Sequence, residues 1–73
     1  MGEYNIDLFF DNENEEVILI ESIKTNDITL AFDIYNLLKE RASRYVEKLG
    51  KDITLKLDQE DTYNIKKEII KCR

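Results

Sequence analysis

The stretch ITLAFDIYNLLKERASRYVEKLG, residues 28–50, limits the possible folds more than any other part of the chain. Ala31, Ile34, Tyr35, Leu38, Ala42, Tyr45, Val46 and Leu49 recur at helical spacing and make one apolar stripe. Asp27 or Thr29 can cap its start, and Gly50 stands where a left-handed residue ends a helix. Glu40 and Arg44 sit at i,i+4 in the favourable order. The spacing predicts a helix over 28–49, roughly 30 Å long. A helix with one apolar stripe needs a layer to cover it, and the flanking segments must supply that layer.

Those segments read as strands. In YNIDLFF, residues 4–10, Tyr4, Ile6, Leu8 and Phe10 fall on one face and Asn5, Asp7 and Phe9 on the other. VILIESIK, residues 17–24, is rich in β-branched residues and apolar on both faces at first. The polar residues between have a hairpin's length, although no Asn-Gly type of turn is present. After Gly50, DITLKLD alternates again, with Ile53, Leu55 and Leu57 on one face. The tail TYNIKKEIIKC fits two elements. Ile65, Ile69 and Cys72 can line a short helix, or Tyr63 and Ile65 can begin a strand paired with 52–58.

An internal likeness favours the strand. Laying residues 5–24 over 52–71, a shift of 47, aligns IDLFFDNEN with ITLKLDQED and makes eight of twenty positions identical. Both copies read strand, acidic turn, strand. The expected fold is therefore α+β: hairpin, helix, hairpin, with one long helix on one face of a small four-stranded antiparallel sheet in a single domain over 1–73. The runner-up is ββαβα. Tyr4, Ile6, Leu8, Phe10, Ile53, Leu55 and Leu57 would meet the helix stripe. The opposite face would carry Asn5, Asp7, Thr54 and Lys56, together with Phe9 and either Ile18 with Ile20 or Val17 with Leu19. Such an apolar group needs cover, from the tail or from an interface.

Composition narrows the functional classes. Seventy-three residues place the chain near the lower limit for folding alone. One cysteine and no histidine leave no disulfide, and Cys72 has no partner to activate it as a nucleophile. A reducing compartment fits, and no basic-then-apolar leader precedes the first strand. The longest apolar run is four residues, so no membrane span is expected, and a cytoplasmic location follows. Charge is unevenly spread. Residues 1–27 hold eight acids against Lys24 alone, a net of −7, whereas residues 28–73 hold eight acids against ten bases, a net of +2. An acidic lobe repels nucleic acid and attracts basic surfaces.

The densest part of that lobe is DNENEE, residues 11–16, with four carboxylates in six positions. Asp11, Glu13 and Glu15 have the 1, 3, 5 spacing of a calcium loop. The pattern then needs Gly and Glu at positions that hold Glu16 and Ser22, so no EF-hand and no dedicated metal site is expected. Paired carboxylates at a hairpin tip lack the apolar pocket that acid–base catalysis requires. No phosphate loop, nucleophile elbow, Cys/His pair or cofactor motif is present, and neither catalysis nor a cofactor is expected. A basic stripe of Arg41, Arg44 and Lys48, with Tyr45 beside it and Lys51 just beyond, is better explained by the helix dipole and by nearby acids than by phosphate contacts.

Glu3, Asp7, Asp11, Glu13, Glu15 and Glu16 are the candidate partner-binding residues, with Phe9 as an aromatic anchor. Alternate strand residues lie roughly 6.7 Å apart, of the order of a phosphate step, so the acids can imitate a phosphate track. This short, acidic, motif-free profile resembles in type the phage-borne inhibitors of host nucleic-acid enzymes, such as anti-CRISPR proteins and glycosylase inhibitors. The resemblance implies a non-catalytic inhibitor or regulator that occupies a basic, nucleic-acid-binding surface of a partner protein, without itself binding nucleic acid or a membrane. The competing expectation is a homodimeric accessory module that associates through its open sheet face.

Overall fold

Two alternating segments on each side of one helix give the chain enough strand to cover the stripe once. The computed structural model, which describes residues 2–60 and 63–73, has β1 (Tyr4–Asp11), β2 (Val17–Thr25), α1 (Ile28–Leu49), β3 (Ile53–Gln59) and β4 (Tyr63–Ile70). The strands form one antiparallel sheet in the order β2-β1-β3-β4, with α1 across one face. The fold is the expected hairpin–helix–hairpin. The tail is a strand over Tyr63–Ile70, so the ββαβα alternative is not adopted. Asp61, part of the second acidic turn that the repeat suggests, lies outside the described residues, as do Met1 and Thr62.

The helix is bounded by its sequence signals. Asp27, in extended conformation, accepts hydrogen bonds through Oδ1 from the Thr29 and Leu30 amides at 2.9 and 3.2 Å. This selects Asp27 over Thr29 as the cap. Gly50 adopts φ 64° and ψ 32°, and its amide donates to the Val46 carbonyl at 2.9 Å. Only glycine takes that conformation without a Cβ penalty.

Ile6 and Leu8 of β1 and Ile53, Leu55 and Leu57 of β3 are fully buried beneath Ala31, Tyr35, Leu38 and Ala42, with Val46 nearly so. The two alanines let the helix backbone approach the central strands, while Tyr35 and Leu38 fill the space between. Tyr4, Phe10, Ile34 and Tyr45 are half-buried around this centre. Leu49, expected in the stripe, stays 42% exposed at the last helical residue.

The internal repeat is present in the register. The pairs Ile6↔Ile23 and Ile53↔Ile70 are equivalent under the shift of 47. Leu8 pairs across the sheet centre with Leu55, its own counterpart. A pseudo-two-fold axis perpendicular to the sheet therefore passes between these two leucines. Glu21 lies opposite Leu8 and Glu68 opposite Leu55, so each repeat sets a carboxylate on the helix side of its edge strand.

A β-bulge decides which residues of β2 face the helix. Leu8 pairs with Glu21 but Phe9 with Leu19, leaving Ile20 as the extra residue. Unbroken alternation from Ile23 would have turned Leu19 and Val17 toward the helix. One added residue reverses this, so Val17 and Leu19 join Phe9 on the open face and Ile20 packs against the core. Of the two arrangements open in the sequence, Val17 with Leu19 is the one adopted. The tail does not cover the group. It extends the sheet and adds Ile69, opposite Thr54, to the same face.

Candidate protein-binding surface

The turn between β1 and β2 is built by Asn12. Its Oδ1 accepts from the Asn14 and Glu16 amides at 2.9 and 3.0 Å, while its backbone bonds to Glu15 and Glu16 close the hairpin at 3.0 Å each. Asn side chains make such local turns readily, and this is the turn chemistry that stands in for Asn-Gly. The geometry is a three-residue hairpin loop whose last residue is left-handed. That residue is Glu15, at φ 61°.

Asp11, Glu13, Glu15 and Glu16 are exposed, and none has a lysine or arginine nitrogen within 4.0 Å among the described residues. Four other acids have an ion-pair partner: Glu21 with Arg41 at 2.8 Å, Asp58 with Lys56 at 2.9 Å, Glu68 with Lys39 at 3.0 Å and Asp52 with Lys71 at 3.8 Å. The tip thus holds four carboxylates in six residues without an ion-pair contact, and Asp11 shares a hollow with Lys51 and Lys71.

The remaining candidates are spread out. Asp7 lies on the open face and accepts a 2.6 Å hydrogen bond from Ser22 Oγ across the strand pair. Phe9 is half-buried between Leu19 and Thr54. Glu3 precedes β1 at the end away from the turn, where its carbonyl accepts from the Glu60 amide at 2.7 Å. Glu3, Asp7 and Asp11 are four residues apart, about 13 Å between neighbours, with Asn5 and Phe9 interposed. The strand acids therefore do not follow a phosphate step. Lys56 and Lys67 also share the open face, which is mixed in charge and not acidic.

The basic stripe is likewise divided. Arg41, Arg44, Tyr45 and Lys48 line a shallow crevice of about 180 Å³, and Arg41 is held by Glu21. Lys51 belongs elsewhere, to a hollow of about 390 Å³ with Asp11, Asp52, Thr54, Ile69 and Lys71.

One polar network was not anticipated. Tyr35, fully buried, donates through its hydroxyl to Glu68 Oε1 at 2.8 Å. Lys39 Nζ stands 3.0 Å from Glu68 Oε2, and Lys66 Nζ lies 4.9 Å from the Tyr35 ring centre. The Tyr35 hydrogen bond, then that of Lys39, holds the Glu68 carboxyl below the ordinary carboxylate range. Burial, then the bond to Glu68, pushes the Tyr35 hydroxyl above its usual range. Glu68 is the repeat counterpart of Glu21, and each ties one edge strand to one flank of α1. The repeat was the signal that pairs them.

Among the described residues, no three His, Cys, Asp or Glu side chains form a set able to hold a metal ion. No helix there is long and apolar enough to cross a membrane. Comparison with protein-family models, with curated proteins and with solved structures returned no match for this chain.

Proposed function

We propose that the protein is a non-catalytic, cytoplasmic binding module, an inhibitor or regulator whose acidic β1–β2 turn occupies a basic, nucleic-acid-binding surface of a partner protein. What supports this is the turn itself: four exposed carboxylates in six residues, none with a lysine or arginine nitrogen within 4.0 Å among the described residues. Such a cluster attracts a basic surface at long range and raises the association rate. Glu15 adds weight, since a glycine would occupy its left-handed conformation at lower cost. Strain of this kind gathers at functional sites. Asp11, Glu13, Glu15 and Glu16 form the contact, with Asp7 and Phe9 on the adjoining face, and Glu3 at the remote end contributes only to the long-range field.

The test is affinity capture from a nuclease-treated lysate at low and high salt. Wild type is compared with a variant carrying Glu13→Gln, Glu15→Gln and Glu16→Gln. The expected result is a nucleic-acid-acting protein captured at low salt by wild type and lost with the variant. Equal capture by both would overturn the proposal.

A further inference from the structure

We infer that the open face of the sheet is a dimer interface, and that its occupant is a second copy of this chain stacked face to face with the two-fold axis parallel to the strands. The inference does not depend on the role of the acidic turn: it rests on the sheet face, and it takes Asp7 and Phe9 into the contact between copies.

The open face is organised in rows that cross all four strands. One row is Leu19, Phe9, Thr54 and Ile69, one residue from each of β2, β1, β3 and β4. Val17 lies one row further along, opposite Asp11, and Val17, Leu19 and Ile69 are 62, 57 and 52% exposed. The next row along the strands is Ser22, Asp7, Lys56 and Lys67. Its acid lies on the β2/β1 half and its bases on the β3/β4 half. The row beyond is Lys24, Asn5, Asp58 and Asn64, with the signs exchanged.

This pattern selects one arrangement. Rotation about an axis parallel to the strands lays β2 and β1 of one copy over β4 and β3 of the other, and each row over itself. The apolar row then meets the apolar row. Asp7 of each copy falls over Lys56 of the other, with Lys67 alongside. An axis perpendicular to the strands and through the sheet centre, where overlap is fullest, would instead press the apolar row onto the Asp7 and Lys56 row and leave those charges without water. The twist of each sheet sets the crossing of the two near −30°.

The area is that of a small, weakly associating dimer. Strands about 4.8 Å apart and about seven residues long give a face of about 450 Å² per copy. Two such faces bury about 900 Å² before the relief of side chains is counted, just under the ~1,000 Å² lower bound for a specific interface and in the range of weak ones. The association expected is micromolar, assembled through aliphatic contacts and oriented by the charges.

Sedimentation velocity on the purified full chain, from about 10 to about 500 µM, tests this. Wild type should pass from monomer to dimer over that range. Leu19→Lys places a charge in the apolar row at an exposed site, and should leave the fold intact and the chain monomeric. Asp7→Lys sets lysine over lysine twice in its own dimer, and Lys56→Asp sets acid over acid twice. Each alone should dimerise at least about tenfold more weakly than wild type. Mixed together, the two variants match at both positions and should form a heterodimer. Contacts within one chain cannot produce that recovery. Wild type that stays monomeric, a dimer unaffected by Leu19→Lys, or variants that fail to recover on mixing would each overturn the inference.

Discussion

Replacing Tyr35 with Phe removes one oxygen and little packing volume, so it chiefly reports the hydrogen bond that joins the helix to the edge strand β4. The hydroxyl is buried and donates to a carboxylate at 2.8 Å, the stronger class of hydrogen bond. Glu68 keeps Lys39 at 3.0 Å, and its side chain is 30% exposed, so water can replace part of what is lost. A cost of about 1–2 kcal/mol follows near neutral pH. For a domain of this size, that lowers the melting temperature by roughly 5–15 °C. The pH dependence identifies the cause. Glu68 has its folded pKa depressed. Its stabilisation is present above the unfolded value of about 4.3 and is lost as pH falls through the lower folded value. Tyr35 has its folded pKa raised. Its contribution is present below the unfolded value of about 10 and declines above it, by up to about 1.4 kcal/mol per pH unit. The gap between wild type and Tyr35→Phe should therefore be widest from about pH 5 to 9 and narrow on both sides. Urea denaturation followed by circular dichroism, at one fixed protein concentration, measures it. A gap below about 0.5 kcal/mol, or one that does not change with pH, would refute the reasoning.

Two further substitutions test the elements that frame the surface. Glu15→Gly relieves a non-glycine residue at φ 61° and should raise stability by about 1 kcal/mol, seen as a higher urea midpoint with an unchanged slope. Leu8→Ala empties a fully buried position beside the pseudo-two-fold axis. It should cost about 2–5 kcal/mol, comparable with the ~3–5 kcal/mol a core this small supplies, so far-UV circular dichroism at 37 °C should show a largely unfolded chain.

The parts of the fold legible in the sequence are those set by short-range patterning. The 3.6-residue stripe and Gly50 mark the course and end of α1, while its start stays open between Asp27 and Thr29 until the Thr29 and Leu30 amides bond to Asp27. Alternation marks β1 and β3 because both are central strands with one face on the core. The tail is ambiguous on periodicity alone, and the likeness to residues 5–24 resolves it, since a repeat carries its partner's register. What the pattern does not carry is the bulge at Ile20. A single added residue costs little locally yet reverses the face of everything before it, so the side taken by Val17 and Leu19 depends on pairing across the sheet. The Tyr35–Glu68 bond is hidden for a similar reason. Its partners are 33 residues apart and meet only when β4 pairs with β3. The acidic turn is legible as a cluster, but charge alone does not separate Glu3 and Asp7 from it, and the strand carries them away from the tip.

The central claim, that the acidic turn takes the place of nucleic acid on a partner's basic surface, is tested most directly by competition. With the captured partner purified, its affinity for this protein is measured as duplex and single-stranded nucleic acid are added. Binding should be mutually exclusive, with the Glu13, Glu15 and Glu16 to Gln variant at least about tenfold weaker and less sensitive to salt. A ternary complex holding protein and nucleic acid together, or a variant that binds as tightly as wild type, would contradict it.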